Sequence, residues 1–211
     1  KSPSPDILIE EEYLQFLFHF YCHQLQMLQG TYRDALTGLY NRRAFNERIP
    51  QLLESSLNHK RRAMNFSPSI YVMLDIDHFK LINDNMGHLF GDEVLLLLAQ
   101  LMTDSFREHD LLFRYGGEEF AVILPNTGAD NAVVVAERIR HSVEDSSVRF
   151  EGAAIPLTVS VGCCSVETAD TRTQPEDLIA RADKALYAAK NEGRNRVELH
   201  HELEANCASI S

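Results

Sequence analysis

An α+β domain with a ferredoxin-like βαββαβ core and one extra helix–strand unit, preceded by a single long helix, is the architecture this sequence predicts. Three observations carry the expectation. Apolar runs of strand length alternate with longer stretches of helical period, in the order strand, helix, two strands, helix, strand, helix, strand. The two successive strands flank Gly116 and Gly117, whose freedom to take a positive φ suits a tight hairpin turn. A chain of 211 residues that is 45% hydrophobic and 24% charged can bury one core and carry an appendage.

Residues 1–6 hold Pro3 and Pro5 and read as a frayed linker. From Ile7 to about Asp34 the chain is apolar and aromatic-rich, with too many Gln and His residues for a transmembrane helix. Leu14, Phe18, Tyr21, Leu25, Leu28 and Tyr32 recur in alternating steps of four and three. That is the a/d seam of a parallel coiled-coil-like dimer; the plainer reading is an amphipathic helix packed on its own domain. His19 and His23, one helical turn apart, fit a metal pair or, more simply, a polar stripe. Gly38 is expected to end that helix, and a second runs from about Arg42 to His59, perturbed near Pro50. After a polar loop, Ser69 to Ile76 reads as a strand buried on both faces, ending in Asp75 and Asp77. Acids at the end of a buried strand are costly unless positive charge meets them, so a cation is expected there. A helix follows Asp92 and continues to about Arg107, and residues 111–124 form the hairpin. Asp130 to Val143 is helical, Ile155 to Val166 a strand, Pro175 to Asn191 a helix and Arg194 to Leu199 a last strand. The predicted divisions are residues 1–33, 34–199 and a tail from His200.

The net charge of −11 disfavours a nucleic-acid backbone or an anionic membrane as partner, since both demand basic surface. It leaves open an anionic small molecule met by local cations or a bridging metal. Cys22, Cys163, Cys164 and Cys207 show no C-x-x-C spacing and read as reduced thiols of a cytoplasmic protein. The neighbours Cys163 and Cys164 should face opposite sides of their strand. No secretory leader is visible, and a start at Lys1 without Met reads as a piece of something longer, which a region outside it could tether to a membrane.

The stretch Arg114-Tyr-Gly-Gly-Glu-Glu-Phe120 organises the rest. Two carboxylates follow a backbone stripped of side chains, an arrangement that suits a nucleotide carried with a metal; a surface hairpin with solvated glutamates is the plainer reading. Adjacent strand residues face opposite ways, so only one of Glu118 and Glu119 should address a given centre.

Four further stretches agree with it: Asp34-Ala-Leu-Thr-Gly-Leu-Tyr-Asn-Arg-Arg43, Asp75-Ile-Asp-His-Phe-Lys80 with Asn83-Asp84, Gly87-His88 with Gly91-Asp92, and Ala188-Ala-Lys-Asn-Glu-Gly-Arg-Asn195. In this order they make residues 34–199 resemble a GGDEF-family diguanylate cyclase, with a core of the nucleotide-cyclase and polymerase-palm type. Members of that family join two GTP molecules into cyclic di-GMP and release two pyrophosphates. Attack of a ribose 3′-hydroxyl on an α-phosphate calls for a metal that acidifies the hydroxyl and neutralises the leaving group. Magnesium, or manganese in its place, wants few protein carboxylates beside phosphate oxygens. Asp75 and Glu118 meet that demand, and the resemblance adds the backbone carbonyl of Ile76. It makes Glu119 a general base or a further metal contact, against the plainer reading of a structural ion pair.

The resemblance further implies that Lys80, Lys190 and Arg194 contact the triphosphate, offsetting charge in the transition state. Phe79, Gly116 and Gly117 line the nucleotide, and Asn83 and Asp92 read guanine through O6, N1–H and N2–H, which adenine cannot match. In isolation Asn83 and Asp92 are a turn residue and a helix N-cap. Arg107-Glu-His-Asp110, ending ahead of the hairpin, matches the family's R-x-x-D product-inhibition site, with Arg138 as a secondary arginine. Val134 stands where a further arginine is expected. The resemblance implies a homodimer, held by the N-terminal helix, and a sensor domain upstream. The rival function is a non-catalytic domain that binds GTP or cyclic di-GMP as an effector.

Overall fold

The computed structural model describes residues 31–60, 69–166 and 175–200, together with Phe18. The predicted seam therefore lies almost wholly outside the described residues, as do His19, His23, Cys22 and Cys207. In chain order the elements are β1 (Tyr40–Asn41), α1 (Arg42–Lys60), β2 (Ile70–Ile76), α2 (Phe79–Met86), α3 (His88–Ser105), β3 (Leu111–Arg114) and β4 (Glu119–Leu124). There follow α4 (Ala129–Glu144), β5 (Arg149–Phe150), β6 (Ala153–Ala154), β7 (Val159–Ser165), α5 (Pro175–Asn191) and β8 (Val197–Leu199). Six strands form one sheet in the order β1-β3-β4-β2-β7-β8, while β5 and β6 make a separate ribbon. This is the predicted α+β architecture, with β2 at the centre, antiparallel to both β4 and β7.

Side-chain alternation sorts the core into two layers. Val72, Leu74, Phe120, Val122, Val161 and Cys163 face α2, α3 and α4, meeting Phe90, Leu98, Met102, Ala136 and Ile139. Tyr71, Met73, Phe113, Ala121, Ile123 and Cys164 face α1 and α5, meeting Phe45, Ile49, Leu178 and Ala182. The two adjacent cysteines thus enter opposite layers, as expected, and both are buried, with Cys164 Sγ donating to the Leu178 carbonyl at 3.4 Å. Helix α5 lies so close to β7 that a Cβ on Gly162 would collide with the α5 backbone at Ala182 and Leu186. All seven residues of β2 are buried, so the strand can end in charge only where something compensates it.

Several boundaries differ from the sequence expectation. The helix expected after Asp92 begins at His88, and a separate α2 precedes it, joined through Gly87 alone at φ 86°. Asp92 is thus a helical residue, not an N-cap. Strand β7 starts at Val159 rather than Ile155, because Pro156 has no N–H to give a ladder. Strand β8 starts at Val197, because Arg194 and Asn195 sit at φ 61° and 47° in a left-handed turn. Gly38 closes a turn rather than a helix, donating its N–H to the Asp34 carbonyl at 2.9 Å with φ 72°. Among the described residues no helix is long and apolar enough to cross a membrane.

Candidate active site

The site forms at the C-terminal end of β2. Asp75 is paired in register with Glu119 on β4 and with Ser160 on β7. Both acids share the parity of the layer under α1 and α5, so their carboxyls converge toward α5. From α5, Lys190 extends Nζ to within 2.8 Å of Asp75 Oδ2. Ile76 donates its N–H to the Glu118 carbonyl at 3.4 Å, which sets Glu118 beside the strand end. Glu118 lies in the turn, not on the strand, so strand alternation does not separate it from Glu119. Burial pushes up the carboxyl of Asp75, and Lys190 opposes that shift. Glu118 and Glu119 are also raised, by burial first and then by the charge of Asp75. Three acids that each resist ionising, with one lysine between them, leave an excess of negative charge that a divalent cation would relieve. The Lys190 ammonium at hydrogen-bond distance already marks where positive charge is wanted.

Asp77, expected to share in that cation, is satisfied otherwise. It accepts from Thr158 Oγ1 at 2.8 Å, Ser160 Oγ at 2.7 Å and the Asn195 N–H at 3.1 Å. Three neutral donors account for a buried carboxylate, so Asp77 braces the β2 end against the turn after α5. Among the described residues no three His, Cys, Asp or Glu side chains are gathered into a ready-made metal cage. Asp75, Glu118 and the Ile76 carbonyl fit a hard cation that takes its other oxygens from water and substrate.

The hairpin turn is built without the positive φ expected of its glycines. Neither Gly116 nor Gly117 is in the left-handed region. The Tyr115 and Gly116 N–H groups instead both donate to the Glu119 carbonyl, at 2.8 and 3.1 Å. Gly116 leaves room for the Glu119 carboxylate: a Cβ there would lie 2.6 Å from Glu119 Oε2 and displace it. Arg114, which opens the motif but to which the sequence assigns no role of its own, holds the turn by donating through Nη2 to the Gly117 carbonyl at 2.9 Å. Its Nη1 meets Asp34 Oδ1 at 3.1 Å, and Thr37 caps the same carboxylate through its N–H and hydroxyl at 2.8 Å each. These bonds hold the Asp34 carboxyl below its ordinary range, against burial. An acid followed at i+3 by Thr was the available signal for this turn.

The remaining residues predicted to touch substrate lie on α2, on α3 and in the turn after α5. Lys80 is exposed in the first turn of α2, while Phe79 is buried beneath it. Asn83 on α2 packs against Gly91 on α3, where any Cβ would overlap its amide oxygen; exposed Asp92 comes next in the same helix. Arg194 is exposed in the left-handed turn after α5, its N–H bonded to the Ala189 carbonyl at 3.0 Å. That turn is fixed by Asn195, which accepts from Arg140 Nη1 and donates to Glu144 Oε1, both at 2.8 Å. Arg140 is buried and paired with Glu137 and Glu144. In the sequence Arg140 and its helix neighbours Glu137 and Glu144 read as a surface ion-pair run; their link to Asn195, 55 residues on, has no local signal.

A second constellation lies beyond the other end of β3. Arg107, Asp110 and Arg138 line one cavity of about 240 Å³ with Leu124, Asn131 and Val134. Asp110 caps the turn by accepting the Arg107 N–H at 2.8 Å, and Arg138 donates to the Ser105 carbonyl. Arg107 and Asp110 also border a cavity of about 270 Å³ that reaches Arg33, Leu39 and Tyr40.

Comparison with known proteins places the chain in a family. The family model described as "Diguanylate cyclase, GGDEF domain" matches residues 31–196. Diguanylate cyclase DgcP of Pseudomonas aeruginosa is 38% identical over 180 residues, 85% of this chain and 26% of that protein. Diguanylate cyclase A of Treponema denticola is 41% identical over 176 residues, 82% of this chain and 46% of that protein. The crystal structure of the coiled coil and GGDEF domain of DgcB from Caulobacter crescentus, in complex with c-di-GMP, superposes with a TM-score of 0.81 at 28% identity. That match covers 93% of this chain and all of the other. The chain spans less than half the length of these two curated relatives.

Proposed function

The chain belongs to the GGDEF diguanylate cyclase family, and from that premise we propose that it condenses two GTP molecules into cyclic di-GMP and two pyrophosphates. The observation that carries this reading is the register pairing of Asp75 with Glu119, with Lys190 at 2.8 Å from the Asp75 carboxylate and Glu118 at the same strand end. Asp75, Glu118 and the Ile76 carbonyl would hold magnesium, or manganese, which when bound would supply Lewis acidity at the α-phosphate and acidify the attacking 3′-hydroxyl.

Each step is assigned a residue. Glu119, whose carboxyl is raised above its ordinary range by burial and by Asp75, is suited to take the 3′-hydroxyl proton as the new O–P bond forms. The bond from the α-phosphorus to the bridging oxygen breaks, and pyrophosphate leaves against Lys80, Lys190 and Arg194. Asn83 and Asp92, from α2 and α3, read guanine with one amide and one carboxylate. Each GTP supplies one nucleophile and one electrophile, so two half-sites on two copies must face each other. The N-terminal helix holds those copies together.

Arg107, Asp110 and Arg138 bind the product and slow the enzyme; their common cavity supports this reading. Arg107→Ala is expected to relieve inhibition by added cyclic di-GMP, measured as initial rate against product concentration, and undiminished inhibition refutes the second site. The reaction itself is tested by incubating the protein with GTP and magnesium and separating products by anion exchange. Unconverted GTP at high protein concentration overturns the cyclase reading.

A further inference from the structure

Lys190 occupies the position at which a metal-binding acid would meet its cation. Its Nζ lies 2.8 Å from Asp75 Oδ2, with the lysine side chain 33% exposed and the aspartate side chain 7% exposed. The Lys190 ammonium lies on one oxygen of the carboxylate most enclosed by protein, with Glu118 and Glu119 close enough to feel the same charges. We propose that Lys190 is an exchangeable counter-ion: it holds Asp75 in the nucleotide-free protein and passes to the triphosphate when metal arrives with GTP. The inference rests on the cyclase reading for the identity of the nucleotide.

An ammonium and a divalent cation at contact distance from one oxygen repel each other strongly in a partly buried site. Free metal therefore competes with Lys190 and binds weakly. A triphosphate beside the site gives the ammonium another anion, so its transfer frees Asp75 Oδ2. Metal and nucleotide then strengthen each other's binding by the same factor, as any thermodynamic coupling must. No covalent bond changes, and the exchange is reversible. A lysine that merely anchored α5 to β2 would produce no such coupling.

The test is a manganese titration of the nucleotide-free chain, read by the electron paramagnetic resonance of free Mn(II), for wild type, Lys190→Met and Lys190→Gln. Circular dichroism establishes that each is folded. Removal of the ammonium is expected to tighten manganese binding by about 5–50-fold, the range of ordinary coupling between sites. The enhancement of manganese binding by 3′-deoxy-GTP, which lacks the attacking hydroxyl, is expected to shrink by a similar factor. Unchanged or weaker manganese binding by a folded variant overturns the exchange. Should both variants lose the fold, the wild type decides: manganese bound as tightly without 3′-deoxy-GTP as with it overturns the exchange. Cyclic di-GMP formation by the wild type is assayed separately, so failure of the cyclase reading is distinguishable from failure of the exchange.

Discussion

At the scale of single residues the site is a concentration of unwilling anions. Asp75, Glu118 and Glu119 all have carboxyls held above their ordinary range, each by burial first. A carboxyl raised in the fold binds its proton more tightly there than in the unfolded chain. Its contribution to stability is therefore present below the unfolded pKa and is lost as pH rises through the folded value. Metal-free protein should accordingly gain stability on Glu119→Gln at neutral pH. That gain should shrink toward about pH 4, where carboxyls protonate in any case. Differential scanning fluorimetry across pH reads this directly, and a variant less stable than wild type at pH 7 in the absence of metal contradicts it. Asp77 shows why charge alone misleads: read as one of a cation-binding pair, it is a neutral-donor acceptor fixed by Thr158, Ser160 and Asn195.

At the scale of elements, the hairpin and the β2 end are positioned by contacts distant in sequence. Arg114 joins the Gly117 carbonyl to Asp34, a residue 80 positions earlier at the start of the domain. Its side chain and that of Asp34 are 17% and 23% exposed, so the pair is only partly screened by water. Arg114→Ala should cost about 1–2 kcal/mol in urea unfolding, within the span for hydrogen bonds to charged groups, and should lower turnover by loosening the turn. Unaltered stability and turnover would show the turn to be self-supporting. Periodicity located β2, the hairpin and α5, because each presents a long or alternating apolar pattern. It missed α2 as a separate helix, since Gly87 breaks the backbone direction without interrupting the polar sequence around it. It also gave the wrong reason for the glycines of the turn. Gly116 instead leaves room for the Glu119 carboxylate three residues on, which a Cβ would displace.

At the scale of the whole molecule, the acidic pair and the proposed phosphate contacts and guanine readers were legible as motifs, but their supports were not. The motifs are short and local, whereas Arg140, Glu144 and Asn195 meet across 51 and 55 residues. One half-site cannot complete a condensation of two nucleotides, so the account depends on a second copy. The heptad spacing of Leu25 and Leu28, outside the described residues, is our proposed means of raising its effective concentration. Replacing both with Glu should reduce turnover by about tenfold or more at low protein concentration and much less at high concentration. A specific activity that matches wild type throughout a dilution series contradicts the proposed role of the seam.

The acids gathered at the end of β2 form, as we propose, a metal-dependent half-site for GTP condensation. The decisive measurement quantifies cyclic di-GMP and pyrophosphate from GTP and magnesium, for wild type and Glu118→Gln side by side. One cyclic di-GMP for every two pyrophosphates is expected from the wild type, and at least a ~100-fold loss of both in a folded Glu118→Gln variant. Product formed equally well by Glu118→Gln, or none by the wild type, would contradict the proposed half-site.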